Sequence, residues 1–489
     1  MKKFIAVFLS VLMVFSMGIS AFAAETDYAI SNPYGNVDWD SYNAYKADLH
    51  SHTIASDGDN TTVEMAERHY ELGFDIYAQS DHGTVNYSWT EKDSYDPTIK
   101  FIMMIKEGLS PVVTLDKNGT AANGKSYTVT TVNGDDYYAQ DGGHDMMRVP
   151  FANEQNPTSF NNAHVNTWFV DWGHGRLGGT SDYATPISAV DELGGVSVIN
   201  HPGEYTSARD EIYTADAYKK GSGSYSYYID KFENLLMNYE SCIGIDINSK
   251  GDSRTRFDRK LWDTMLTDLA PAGRNVFAIA SSDAHNLDIV DSGYVMAMMP
   301  SLTSDALKEA LTDGAFFAQS CYCGNYEELV AYSAALLASE DAAAQALGEK
   351  MSVSVAAGDK YRFESGATCV TINSIAVDDA EDSITINADD ALYIRWISDG
   401  KVVAEGNSID LDECADIGSY VRAEIISEGA VTYTQAFLLE YDGMPGANVP
   451  ENFVDYDATA LGFVDNIVRA LGKMISVIAQ PILEALGVV

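Results

Sequence analysis

The chain has 489 residues, with 72 acidic and 30 basic side chains and a formal net charge of −42; at ~150 residues per domain this length suggests roughly two to three domains. A hydrophobic fraction of 46%, with 29 Tyr and 18 Phe, supplies large cores and excludes global disorder. So few cations argue against binding duplex nucleic acid or docking on anionic lipid.

From the N-terminus, Lys2 and Lys3 precede an uncharged apolar stretch over 4–19, followed by Ala21-Phe22-Ala23. A basic start, an apolar run and small residues at −3 and −1 mark an export signal, expected over 1–23 and cleaved after Ala23 or Ala24. The expected location is secreted or cell-surface. Residues 24–43 are a polar lead-in. Over 44–337 short apolar runs (74–78, 196–199, 243–247, 276–280) alternate with segments of helical periodicity (63–72, 261–269, 304–311), the signature of βα units. A stretch near 110–150, with Asn118-Gly119, Asn123-Gly124 and Asn133-Gly134, reads as a hairpin-like insertion over one face. The wider segment 110–180 is expected to roof the pocket.

An Ala-rich helix near 331–347 is the expected connector, with a linker at 338–350. From Met351 the period becomes two: Val353 and Val355, then 371–377, 383–387, 393–397 and 421–426, with a hairpin signal at Asp399-Gly400. Residues 351–443 are therefore expected to form a small all-β sandwich. Asp416-Ile417-Gly418-Ser419-Tyr420 resembles the tyrosine corner of immunoglobulin-like sandwiches, with Trp396 in a strand and Arg422 at the second-cysteine position. The tail, 444–489, has helical apolar spacing with Asp465, Arg469 and Lys473 on one stripe, interrupted by Pro481. It reads as an amphipathic helix docked on its own protein; tail or sandwich is also the candidate for weak membrane or cell-wall association. Five cysteines, Cys242, Cys321, Cys323, Cys369 and Cys414, make no CxxC pair and no disulfide framework, though Cys369 and Cys414 could pair.

Among nine histidines, His50 and His52 end an apolar run; at i and i+2 on a strand both imidazoles face one way and can reach one metal. Asp283 and His285 repeat that spacing after 277–280. His82 follows 76–78 and His201 follows 196–199, so four expected strands deliver metal-type ligands at their C-terminal ends. An EF-hand reading of Asp57-Gly58-Asp59-Asn60 fails, for want of Gly at the sixth loop position and a carboxylate at the twelfth.

The motifs Ala47-Asp48-Leu49-His50-Ser51-His52 with Ser56-Asp57-Gly58, Ser80-Asp81-His82-Gly83, Asn200-His201-Pro202 and Ser281-Ser282-Asp283-Ala284-His285 together resemble the PHP (polymerase and histidinol phosphatase) metallohydrolase superfamily. The segment 293–320, with Asp313-Gly314-Ala315-Phe316, is similar to the exported CehA/McbA-like branch. The resemblance covers about 44–325. It implies an α/β fold, a distorted (β/α)7 barrel, followed here by the immunoglobulin-like sandwich and the C-terminal helix. It also implies two or three divalent ions, Zn, Mn or Fe. The family's bridging Glu is Glu154 or Glu107; a His about ten residues downstream favours Glu154, paired with His164, and 148–151 offers a short strand before it. By the resemblance His50, His52, Glu154 and Asp283 hold one ion, Glu154, His164 and His201 a second, and Asp57, His82 and His285 a third.

Asp81 is a candidate for orienting an imidazole and His174, in a Gly-rich loop, for acid–base or substrate contact. His69 reads as structural, His144 as a weaker loop candidate, Asn248 as a weak substrate contact, and Arg148, Arg176 and Arg209 as candidate phosphate clamps. The implied chemistry is hydrolysis of a small phosphomonoester or phosphodiester by a metal-activated hydroxide. The alternatives are hydrolysis of a carbamate, ester or amide, and a non-enzymatic cell-wall-associated binding protein.

Overall fold

The strand Asn43–Ser51 organises the computed structural model, which describes residues 26–92, 95–108, 111–155, 163–175, 183–205, 225–450 and 456–489. The expected export signal lies outside them. Asn43–Ser51 pairs in parallel with Ile76–Gln79 and antiparallel with Gly293–Met299. The crossover helix, Thr62–Glu71, starts at a capping box: Thr61 accepts from the Glu64 amide while the Glu64 carboxylate accepts from the Thr61 amide. Two donors that helix geometry leaves unpaired are thereby satisfied, which fixes where the helix begins. Its Met65, Ala66 and Tyr70 face the sheet.

Ile76–Gln79 pairs in parallel with Asp145–Arg148. From there the antiparallel strands Asp135–Gln140, Ser126–Val132 and Asn118–Thr120 run to the sheet's edge. A second sheet takes Phe277–Ala280, Cys242–Asn248 and Val196–Ile199 in parallel, then Val165–Trp168 and Asn153–Gln155 antiparallel. Its strands are buried throughout, which is why they read as unbroken apolar runs. Trp262 of the helix Asp258–Leu269 packs here and donates its indole N–H to the Val276 carbonyl at 2.7 Å. Burying a side chain of this kind contributes about 1.5–3 kcal/mol.

The alternation of strands and helices matches the sequence reading, but the expected barrel does not close. Among the described residues the two sheets meet at single bridges, Ser51 with Ala284 and His82 with Glu154. The edge of Asn43–Ser51 that closure requires is taken by Gly293–Met299, and the ladder continues into Phe316–Ser320 and Val431–Tyr433. One 14-stranded sheet thus runs through both halves of the chain.

Several further expectations change. The Asn/Gly-rich insertion extends the sheet sideways instead of roofing a pocket; residues 156–162 and 176–182 of the wider segment lie outside the described residues. The run 148–151 is not a strand: Asp145–Arg148 ends there, Phe151 turns the chain with φ 55°, and Asn153–Gln155 begins anew. Residues 342–357, which hold the expected linker and the first expected β positions, form a helix against Tyr326–Ala338. Its alanine content, an N-cap at Asp341 and a left-handed Gly358 (φ 68°) outweigh the local period of two.

The expected β runs from 371 onward are strands, and Asp399-Gly400 makes the hairpin, with φ of 48° and 68°. They form two layers packed through Ile384 and Ile386 against Trp396 and Val421, one layer belonging to the large sheet. A self-contained immunoglobulin-like unit is therefore not what forms. The Tyr420 hydroxyl donates to Asp263, on a helix of the first half, while accepting from the Gly400 amide of its own β layer. The lead-in is part of this region: Ala29–Ser31 pairs with Phe437–Glu440, and the buried Tyr34 hydroxyl donates to the Phe316 carbonyl. All five cysteines are free thiols, so Cys369 and Cys414 are unpaired.

The tail is a helix, Tyr456–Ala485, running through Pro481. It packs on the helix Pro97–Glu107 through Ala479 and Leu483 against Phe101 and Met104, and Thr98 donates to the Gly472 carbonyl at 3.0 Å. Among the described residues no helix is long and apolar enough to cross a membrane.

Candidate metal centre

The nine residues singled out from sequence converge: His50, His52, His82, His201, Asp283 and His285 at or just beyond the C-terminal ends of their strands, Glu154 within Asn153–Gln155, His164 just before Val165–Trp168, and Asp57 in the loop after His52. Glu154 is the hub. Its Oε1 lies 2.9 Å from His164 Nδ1 and 3.3 Å from His201 Nε2. Its Oε2 lies 2.9 Å from His82 Nδ1, 3.4 Å from His52 Nε2 and 3.5 Å from His50 Nε2. Asp283 Oδ1 is 3.2 Å from His52 and 3.5 Å from His50, and its Oδ2 is 3.4 Å from His201. Asp57 stands opposite His82 and His285, at 3.5 Å from each.

The donor atoms form four overlapping groups, each within 4.8 Å: His52, Asp57, His82 and His285; His50, Glu154 and His201; His50, His52 and Asp283; His82, Glu154 and His164. The expected third set recurs with His52 added. The expected second set divides, because His164 groups with His82 while His201 groups with His50. The rival Glu107 ends the helix Pro97–Glu107, and its side chain lies outside what the structure describes.

These residues fit a divalent ion by their chemistry. Glu154 Oε2 and both Asp283 oxygens are buried and make no well-formed hydrogen bond among the described residues; imidazole nitrogens are their neighbours. Convergent lone pairs of mixed nitrogen and oxygen type suit zinc, manganese or iron. Burial opposes charge on Glu154, Asp283 and His50, and for these the field of the cluster overrides it. Against burial, His164, His50 and His82 hold the Glu154 carboxyl well below the usual range. Burial works against charging His50, but Asp283 and Glu154 outweigh it and raise its pKa to about 9. For His164 burial wins over Glu154 and lowers it to about 4. Burial pushes the nearby Asp246 carboxyl up to about 8.

Local backbone demands place the ligands. His201 and Asp283 have left-handed φ values of 25° and 44°. Such conformations cost of order 1–3 kcal/mol each and persist where surroundings over-determine them. For Asp283 the restraint is visible: its amide donates to the His50 carbonyl, while Ser282 is gripped by Asp48. Asp48 in turn faces His69 Nε2 at 3.0 Å, and His69 Nδ1 donates to the Met65 carbonyl. His69 is thus structural, as expected. Gly58 closes the loop after His52 because a Cβ there would lie 2.7 Å from the His52 carbonyl carbon. His285 Nδ1 donates to the Asp283 carbonyl, which leaves Nε2 as the lone-pair nitrogen.

Other roles need correction. Asp81 touches no imidazole directly among the described residues and reaches His52 only through the Ser56 hydroxyl, 3.4 Å from His52 Nδ1. Its buried carboxylate accepts from the amides and hydroxyls of Thr53 and Ser56 and from Gln79, so it fastens the loop between His52 and Asp57. His174 is outside the four groups; its Nδ1 accepts from the Val85 amide at 3.2 Å, and Gly175 donates to Gly83 beside His82. His144 donates from Nε2 to the Phe74 carbonyl and stacks on Tyr70, which pins the edge strands to the helix Thr62–Glu71. Arg148 is buried against Asp136 and the Asn86 carbonyl, so it clamps no phosphate; Arg176 and Arg209 lie outside the described residues. Asn248 is fully buried and neither amide atom is hydrogen-bonded among the described residues.

Sequence reasoning missed four supports. Asn200 donates to Glu154 Oε1 at 2.8 Å. Glu204 lies 3.5 Å from His201 Nδ1, the carboxylate–imidazole arrangement that fixes a ligand's tautomer. Lys250 Nζ is 3.0 Å from Asp283 Oδ2 and 3.3 Å from Glu204, and Arg254 also contacts Glu204. Asn200 is the first residue of the quoted motif Asn200-His201-Pro202 and was within reach; Glu204, Lys250 and Arg254 belong to short helical turns and loops whose placement no periodicity encodes.

No protein-family model and no curated protein matches the chain. Solved structures similar to it include a two-domain protein from Bacteroides vulgatus containing a predicted PHP-like metal-dependent phosphoesterase, at 12% identity over 84% of this chain and 94% of that one, TM-score 0.34. PsfC from Pseudomonas syringae is 14% identical over 53% of this chain and 84% of that one, TM-score 0.29. A lesion-specific endonuclease from Pyrococcus furiosus is 12% identical over 55% of this chain and 56% of that one, TM-score 0.30. At TM-scores below 0.5 these likenesses establish neither a shared family nor a shared activity.

Proposed function

We propose that the protein is an exported metal-dependent hydrolase acting on small phosphoesters. One observation carries the reading: nine imidazole and carboxylate side chains from several strands and their adjoining loops converge with buried acceptor oxygens that lack well-formed hydrogen bonds. A structural polar core satisfies its acceptors; a ligand cradle leaves them for the ligand. The motif resemblance noted above supports the same chemistry, and the leader-like segment at 1–23 supports export.

Ions bound there would supply Lewis-acid polarisation and activation of water. The protein's own contribution is position. Glu154 and Asp283 bring negative charge to the centre, Glu204 sets the His201 tautomer, and Asp81 holds the loop that carries Asp57. In an acidic chain, Lys250 and Arg254 put positive charge beside the cluster, which makes an anionic substrate admissible.

The test is to purify the mature chain, quantify bound metal, and compare turnover of nitrophenyl phosphate, bis-nitrophenyl phosphate, nitrophenyl acetate and a nitrophenyl carbamate. Phosphoester turnover lost on chelation and in His50→Ala supports the reading. Turnover of the acetate or carbamate alone would replace it with ester or carbamate hydrolysis, and activity surviving both treatments would refute it.

A further inference from the structure

We propose that Lys250 binds a terminal oxygen of a phosphomonoester and so sets the site's preference for a dianionic phosphoryl group; this rests on the phosphoesterase reading above. Its ammonium reaches Asp283 at 3.0 Å and Glu204 at 3.3 Å from a residue that is itself no metal ligand. That placement is built into the backbone. Lys250, Gly251 and Asp252 are consecutive left-handed residues, with φ of 50°, 60° and 53°. Two of the three are not glycine, and such strain persists where neighbours over-determine it, most often at ligand clamps and active sites.

The neighbours are specific. The Lys250 amide donates to the Ser282 carbonyl at 3.2 Å, tying the turn to the residue before Asp283. The Asp252 carboxylate accepts from Arg259 and Thr255, and Lys360 donates to the Gly251 carbonyl at 2.7 Å. A residue that only filled surface would need none of this. Two positions earlier on the same strand end, Asn248 keeps a buried amide with neither polar atom hydrogen-bonded among the described residues.

Charge then selects the ligand. A divalent ion held by Asp283 would take up that carboxylate's charge, and Glu204 is shared with Arg254 and His201. The Lys250 side chain is 24% exposed and its ammonium lies between Asp283 and Glu204; with Asp283 engaged by an ion, it would have positive charge to offer an anionic ligand. A phosphomonoester carries three terminal oxygens and up to two negative charges. It has an anionic oxygen to spare for an ammonium outside the donor set. A diester has two terminal oxygens and one charge, and a neutral ester or carbamate has no anion at all.

The experiment uses the full mature chain loaded with manganese or zinc, as wild type, Lys250→Met and Lys250→Arg. Inorganic phosphate binding is measured by calorimetry, metal by elemental analysis, and nitrophenyl phosphate kinetics in parallel. Loss of one charge-assisted hydrogen bond predicts that Lys250→Met weakens phosphate binding and raises KM by about 10-fold or more, with kcat changed less than about threefold. Bound metal per chain stays the same, and Lys250→Arg recovers most of the phosphate affinity. Unchanged phosphate affinity and KM, or a loss of metal that accounts for the defect, would overturn the proposal. If the wild type binds phosphate through Lys250 but turns over no phosphoester, the anion subsite stands and the phosphoesterase reading falls.

Discussion

Two buried charged regions of this molecule invite comparison. One is the candidate metal centre. The other lies between the helix Asp258–Leu269 and the later β layer, where Arg422 makes a two-pronged pair with Asp263 at 2.7 and 2.8 Å and reaches Glu424 at 2.8 Å. Arg395 pairs with Glu424 at 2.7 Å, and the hydroxyls of Tyr332 and Tyr420 donate to Glu424 and Asp263. This network borders a cavity of about 550 Å³. Each of its carboxylates accepts from guanidinium forks and phenols, the geometry that best offsets the cost of burying charge. At the metal centre the carboxylates face mainly imidazoles, with Asn200 on Glu154 and the Lys250 ammonium 3.0 Å from Asp283 as further donors, and Glu154 and Asp283 retain oxygens without well-formed hydrogen bonds. The saturated network joins two halves of a fold. The unsaturated one awaits a ligand.

The largest way to break that contrast is Glu154→Gln. Removing one member of a catalytic unit should lower turnover by roughly 10,000-fold. The variant should fold with an unchanged circular dichroism spectrum, because the amide keeps the oxygen that can accept from Asn200. Next comes Asp263→Ala, which strands a buried guanidinium and should destabilise the chain by about 3–5 kcal/mol in urea unfolding. Bound metal and KM should stay at wild-type values; a variant that loses metal would show that the two networks are not separate.

Asp81→Asn probes the boundary between support and chemistry. An amide there presents a donor to a ring of donors and loosens the loop that carries Asp57, so metal affinity should fall by about 10–100-fold. The smallest effect is that of pH. The His50 pKa is raised to about 9 in the metal-free fold, so uptake of an ion must displace that proton. Metal affinity should therefore rise with pH, about tenfold per unit for each proton displaced, and level off above about 9. The sign for the metal-free fold is opposite: stability from this raised pKa is present below about 6.5 and is lost as pH rises through about 9. Calorimetric metal titrations at several pH values check the first, and unfolding of chelated protein the second.

Much of the centre was legible in the sequence because strand periodicity encodes it. His50 and His52 declare their shared reach by spacing, and apolar runs before His82 and His201 mark strand ends. Asp283 and His285 lie past the strand Phe277–Ala280 on a left-handed turn and join different groups, so there the spacing of two worked for another reason. The apolar runs 196–199 and 276–280 are strands for the same reason. Sheet closure was not legible, since whether Asn43–Ser51 pairs with Gly293–Met299 or Phe277–Ala280 is decided by long-range packing. Nor was the helix over 342–357, where capping and alanine propensity overrode an alternation of Val353 and Val355. Asp81 was found, but its grip on the loop was not legible: an Asp beside a ligand His has the same sequence whether it meets an imidazole directly or fastens a loop. Lys250 was invisible because three left-handed residues in a row leave no periodic trace.

The central claim is that the nine-residue cluster is a cradle for divalent ions. Elemental analysis of the purified mature chain, as isolated and after dialysis against manganese, zinc or iron, tests it most directly. The account predicts two to three tightly held ions per wild-type chain and a clear loss in Glu154→Gln. A wild-type chain that takes up no ion at micromolar concentrations, while remaining folded, would contradict it.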